Sequence, residues 1–314
     1  MLKISRDFVT GDHSPDNKPV AFCESGDTVE FDCRNCYDDR LHADGSVDHE
    51  ELTIDNPATG PLYVNGAEPG DVLKVEILKI RLNGKGYMRQ SLVGGAFYQR
   101  PGVKERVVRE FDVSGDMVKF NDKLEFPIDT MIGVIGTAPV PGSLPGVWEN
   151  ETPGKWSTEL PGDHGGNMDC NKIVEGSTLY LPVNVPGALL SMGDMHALMG
   201  DGESMICGLE SAGKATVRVS VVKGWHLPTP CLIHKGGKRF STIQSDPDLM
   251  ASAKKAANCM LDFLLEYTDL GEYDGGKLLS LKGDLAICHI INDLLTVRME
   301  IDTYILDQYG IELP

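Results

Sequence analysis

The chain has 314 residues, 41% of them hydrophobic and 24% charged, with a formal net charge of −18. That length exceeds one small core and implies two joined lobes. The charge argues against nucleic-acid or anionic-membrane partners, since both would be repelled. The 35 glycines and 18 prolines are spread along the chain, which suits many short strands joined by turns.

Residues 18–37 predict two strands, Val20–Cys23 and Thr28–Cys33, around the turn Ser25-Gly26-Asp27. A polar stretch from Asp38 to Glu51 reads as a loop over a site, and Asp55 to Pro61 is dense in turn residues. Asp71–Ile80 alternates Leu73, Val75 and Ile77 against Lys74 and Glu76, the pattern of a half-buried strand. Phe111–Phe120 and Leu124–Ile128 predict a hairpin around Asn121-Asp122, and Met131–Thr137 a buried strand. From Ala138 to Asp169 the Pro- and Gly-rich chain reads as loop. Ser177–Val185 and Ala215–Lys223 are strand-like. Helix is expected only near the end. Asp246 is placed to cap, Pro247 to open the helix, and Leu249 to Leu265 keeps amphipathic spacing. A second helix is expected over Lys277–Ile290, then a strand over Leu295–Ile301. The fold class is therefore mostly β. A mixed sandwich or barrel-like body over residues 1–224 carries the site, and a smaller α+β lobe over 225–314 packs on it.

No apolar run approaches the roughly 20 residues that span a bilayer. The N-terminal stretch lacks the apolar core of a signal peptide. The eight cysteines are scattered, so reduced thiols and a cytoplasmic setting are expected.

The densest chemistry lies at Gly193–Glu203, where Asp194, His196, Asp201 and Glu203 stand among glycines. On an extended chain Asp194 and His196 share a face, as do Asp201 and Glu203. Carboxylate plus imidazole suits zinc or a similar divalent ion; the plainer alternative is a glycine-rich surface loop with solvated acids. A second cluster, Gly162–Asp169, offers His164 as a ligand and Asp169 as ligand or orienting group. Cys33 and Cys36 form a lone C-x-x-C with no second pair at zinc-finger spacing, and two buried thiols is its plainer reading. His13, His42 and His49 are possible further ligands, while His226, His234 and His289 look structural.

These stretches together resemble the acetamidase/formamidase family. The matching segments are Asn56–Pro61 with Gly70–Leu73, Met131–Pro139, His164–Asp169, Gly176–Val183 and Gly193–Glu203, in family order and spacing. The resemblance implies hydrolysis of a small aliphatic amide, such as formamide or acetamide, to carboxylate and ammonia. It also implies a divalent metal, zinc with a possible second ion such as calcium, and a homodimer or larger oligomer. Carried over, His164, Asp169, Asp194 and His196 are expected as metal ligands, and Glu203, Asp201 and the position of Asn35 as catalytic. Arg40, Gly165, Asn167 and Met199 are expected to contact substrate. The chain departs from the family where it carries Asn35, Arg40 and Met199. Asn35 cannot act as an anionic base, Arg40 would favour an acidic substrate, and Met199 removes a hydrogen-bonding amide. The alternatives are a non-catalytic or attenuated member that binds small carboxylates or amides, and an amidase built on Cys36.

Overall fold

The computed structural model describes all residues except 43, 45, 47–53, 91, 93 and 106. His49 and much of the polar stretch before Glu51 lie outside the described residues.

Alternation of apolar and polar side chains drives the strands to stack in two sheets. Thr28–Cys33 buries every second residue, as a strand with one face on a core must. It lies in a nine-stranded sheet, between Leu2–Ile4 and Gly213–Val222. Val72–Leu82 and Thr178–Pro182 continue that sheet, and the C-terminal strands Cys231–Ile233, Arg239–Asp246, Leu295–Asp302 and Asp284–His289 extend it further. The second sheet is built around Leu190–His196, which pairs with Met131–Gly136, Ala58–Val64 and Glu210–Ser211. Both sheets stay open and neither closes into a barrel.

The principal core joins the two sheets. Val29, Phe31, Val75, Ile77 and Val217 of the first belong to one buried cluster with Leu62, Ile132, Ile135 and Met192 of the second. Helix α1 (Leu249–Tyr267) buries Ala256, Met260, Phe263 and Leu264 in a second cluster with Phe240, Val297 and Ile301 of the C-terminal strands. Full burial of such a side chain stabilises the fold by about 1.5–3 kcal/mol.

Several boundaries differ from expectation. The helix cap is Asp248, whose Oδ1 accepts from the Ala251 amide at 2.8 Å, while Asp246 accepts from the Asp248 amide. Helix α2 runs over Glu272–Lys282, stops at Gly283, and is followed by a strand rather than more helix. The final helix, α3 (Thr303–Gln308), had no clear pattern in sequence. Of the expected turn Asp55–Pro61, the part from Ala58 onward already lies in the strand Ala58–Val64. Within the expected loop 138–169 the chain forms Trp156–Ser157, Pro161–Gly162 and Gly165–Asn167, the last paired to Val134–Gly136. Strands of two or three residues rich in glycine carry no alternation to detect. Among the described residues no helix is long and apolar enough to cross a membrane.

Candidate active site

Three chain segments bring four acids and one imidazole into a single buried cluster. Leu190–His196 is buried at all seven positions, so Asp194 and His196 are carried into the interior by a strand flanked on both sides. Register then places Glu210 directly across from His196. Asp169 follows the short strand Gly165–Asn167, and its amide donates to the Gly133 carbonyl. Asp169, Asp194 and Glu203 have φ of 41°, 53° and 44°, in the left-handed region. Such backbones cost a non-glycine residue of order 1–3 kcal/mol and persist where the surroundings enforce them, often at functional sites.

Two glycines make the space. A Cβ on Gly133 would lie 2.5 Å from Asp169 Oδ1 and 2.6 Å from Asp194 Oδ2. One on Gly208 would lie 2.7 Å from His196 Nδ1. Neither position has room for any side chain.

Electrostatics follow from this crowding. The His196 Nε2 lies 3.3 Å from Asp194 Oδ1 and 3.1 Å from Glu210 Oε2, the latter off the hydrogen-bond line. Burial alone would lower the imidazole, but Glu210 and Asp194 raise it well above its usual value. Burial likewise opposes ionisation of Asp194, yet the charge and hydrogen bond of His196 hold it below the normal range. The other acids go the opposite way. Asp169 is pushed up to about 8 by burial and the neighbouring Asp194, and Glu210 to about 7 chiefly by burial. Burial and the Asp169 charge raise Glu203 well above an ordinary carboxylate. Four carboxylates thus face one imidazole, and among the described residues no Lys or Arg pairs with any of them.

The donor set fits a cation. Asp169, His196 and Glu203 each bring a ligand atom within 4.8 Å of the others, and so do Cys36, Asp194 and Glu210. Asp169 Oδ1, His196 Nδ1, Glu203 Oε2 and Glu210 Oε2 are buried without hydrogen-bond partners. Unsatisfied buried acceptors of this kind are rare unless an ion or water completes them.

The cluster opens into a polar cleft of about 190 Å³, whose lining includes Cys36, Tyr37, Arg89, Asn167 and Asn292. Arg89 stands over the Tyr37 ring, 5.1 Å from its centre. Burial and the adjacent Glu210 and Asp194 push the Cys36 thiol up, which disfavours a thiolate nucleophile.

Of the residues expected from sequence, Asp169, Asp194, His196, Glu203 and Asn167 meet at this cleft. His164 lies elsewhere. Its ring packs edge-on against His13 and Trp156, with centres 5.0 Å apart in each case, beside a different cavity. Asp201 is clamped by Arg298 at 2.6 and 2.7 Å. Asn35 uses its side-chain oxygen to accept from the Tyr37 and Asp39 amides, shaping the loop that presents Cys36. Arg40 pairs with Asp38 at 3.0 Å. Gly165, with φ of 96°, packs against the Ile135 carbonyl. Met199 packs with Met131 and Val174.

Sequence reasoning missed Glu210, Cys207 and Arg89. Glu210 carried one usable signal, a single acid in the small and apolar run Cys207–Gly213. Arg89 had none, because only the fold brings it to the acids.

A model of the Acetamidase/Formamidase family matches residues 9–154 and 154–236. The crystal structure of an acetamidase from Bacillus halodurans is similar at a TM-score of 0.89 and 39% identity, covering 99% of this chain and 100% of that one. That of a predicted acetamidase/formamidase from Thermoanaerobacter tengcongensis gives 0.91 and 35%, covering 99% of each chain. Among curated proteins, the acetamidase of Mycolicibacterium smegmatis is 28% identical over 278 residues, which is 71% of this chain and 68% of that one. The chain therefore belongs to the acetamidase/formamidase family and is an amidohydrolase acting on small amides.

Proposed function

We propose that this enzyme hydrolyses a small primary amide with a divalent cation bound at Asp169, His196 and Glu203. The observation that carries the reading is that Asp169, His196 and Glu203, all buried, bring ligand atoms within 4.8 Å of one another, and that each has a buried side-chain atom without a hydrogen-bond partner. Imidazole with carboxylates suits zinc. When bound, the cation supplies Lewis-acid polarisation of the amide carbonyl and an acidified water.

The chain supplies the rest. Glu210 Oε2, buried at the cleft and free of hydrogen-bond partners, is placed to take a proton and return it to the leaving nitrogen. This is the role expected of Glu203 from sequence, moved to Glu210 because Glu203 would serve the cation with Asp169 and His196. Asp194 fixes the imidazole from its Nε2 side. Arg89 offers the charge to hold the product carboxylate. The depth of the cluster keeps bulk water from the reacting centre.

The test is ammonia release from formamide and acetamide by protein analysed for metal, before and after chelation. Loss on chelation and recovery with zinc are expected. Full activity in metal-free protein would overturn the role of the cation. Stoichiometric binding of carboxylates with no ammonia from any amide would favour a binding protein instead.

A further inference from the structure

A second cavity adjoins the polar cleft and has the opposite character. It is a half-open hollow of about 340 Å³, lined from one side by Met88, Phe97, Phe111, Val118, Phe120 and Phe126. The segment Leu198–Leu209 forms the other side. Among the described residues its only charged lining residues are Asp201, already committed to Arg298, and Glu203. Glu203 and Cys207 line both spaces, so the apolar cavity begins at a carboxylate of the reaction centre. The strand Lys85–Arg89 forms part of the partition. Successive side chains alternate faces, and Met88 lines the apolar cavity while Arg89 lines the polar cleft.

Water occupies about 30 Å³ per molecule, so this cavity has room for roughly ten waters but scarcely any groups to bind them. An apolar occupant fits better, and the methyl of acetamide would leave most of the space unused. The polar carbonyl and nitrogen of an amide belong among the donors and acceptors of the cleft, beside Asp169, Asp194, Glu203 and Glu210. The substituent on the carbonyl carbon is then directed away from them, toward the apolar side.

Resting on the amide-hydrolysis reading, we infer that the apolar cavity is an acyl subsite and that the preferred substrates are primary amides of aryl-alkyl or branched-alkyl acids. The reaction is RCONH₂ + H₂O → RCOO⁻ + NH₄⁺. The C–N bond breaks, a water oxygen joins the carbonyl carbon, and the nitrogen leaves with the protons from water. R occupies the space between Phe111, Phe120 and Met88.

The experiment is a series of kcat/KM values on metal-replete protein for formamide, acetamide, hexanamide and 3-phenylpropanamide, with ammonia as the readout. A single methylene in a fitted apolar pocket is worth about tenfold or more. The longer amides are therefore expected to exceed acetamide at least tenfold. Met88→Trp, which fills the cavity, should lower kcat/KM for the longer amides by at least about tenfold more than for acetamide, with folding checked independently by far-ultraviolet circular dichroism. Phe120→Ala, which widens the cavity, should move the optimum to longer chains. Should Met88→Trp fail to fold, the wild-type series alone decides. Acetamide turned over as well as the longer amides would overturn the acyl subsite and leave the amidase intact. So would equal losses on short and long amides in Met88→Trp, or a cavity found filled by a second copy in sedimentation of the two proteins. No ammonia from any amide would overturn the amidase reading itself, and the subsite with it.

Discussion

His196 Nε2 stands 3.1 Å from Glu210 Oε2, across a strand pair whose register sets the two residues opposite each other. That pairing sets the one imidazole of the cluster beside a carboxylate oxygen that has no hydrogen-bond partner. Glu210→Gln keeps the shape and removes the charge. A positioned acid–base group contributes about 10²–10⁴-fold, so kcat should fall by about a hundredfold or more with KM little changed. A variant with wild-type kcat would remove Glu210 from the chemistry.

Binding of a cation to the folded state alone also stabilises it. At a hundred times Kd the gain is about 2.7 kcal/mol. Chelation should therefore lower the midpoint of thermal unfolding, and zinc should restore it. Asp169→Asn should weaken both the shift and the metal content measured by elemental analysis. An unfolding midpoint indifferent to chelator and metal would argue against the site.

Asp201 holds Arg298, a side chain only 3% exposed. Breaking a hydrogen bond to a buried charge costs about 1–3 kcal/mol. Asp201→Asn should lower stability by that amount in denaturant titrations and leave kcat within a fewfold of wild type. A collapse of kcat in a folded, metal-loaded variant would return Asp201 to the catalytic residues.

His234 is lowered to about 4 by burial and hydrogen-bonds to Ser241. Below pH 6.5 the unfolded chain takes up a proton that the folded chain refuses, so this residue's contribution to stability falls as pH drops toward 4. Between pH 6.5 and 5 the wild type should lose about 1–2 kcal/mol relative to His234→Gln. Parallel stability curves for the two proteins would contradict this.

Gly208→Ala would force a methyl against the His196 ring. The clash falls on the His196 side chain rather than on backbone, so the fold should survive while the imidazole shifts. A 1 Å displacement of a reacting group costs about a hundredfold, and kcat should fall accordingly with little change in far-ultraviolet circular dichroism. Wild-type kinetics would show that the ring has room to give.

The longest periodic segments were legible from sequence. Val72–Leu82, Gly213–Val222 and Leu249–Tyr267 announce themselves because each exposes one face and buries the other. The site was legible in part for a related reason. Asp194 and His196 sit two apart on a strand, and strand alternation brings them together. What remained hidden depends on pairing between distant strands. Glu210 reaches His196 only through register, and Arg89 reaches the cleft only through a third strand. His164 misled because its glycine-rich setting looks like a ligand loop, whereas the short strand after it turns the ring toward Trp156. Asp201 misled because its partner, Arg298, lies 97 residues away.

The strand Lys85–Arg89 is only five residues long and aligns Met88 with Arg109 and Arg89 with Val108. Moving it by one residue would exchange its two faces, presenting an arginine to the apolar hollow and a methionine to the acids. Substrate choice and product handling are thus linked by a single alignment. A lineage that inserted or deleted one residue there would change both properties at once, with every catalytic acid still in place.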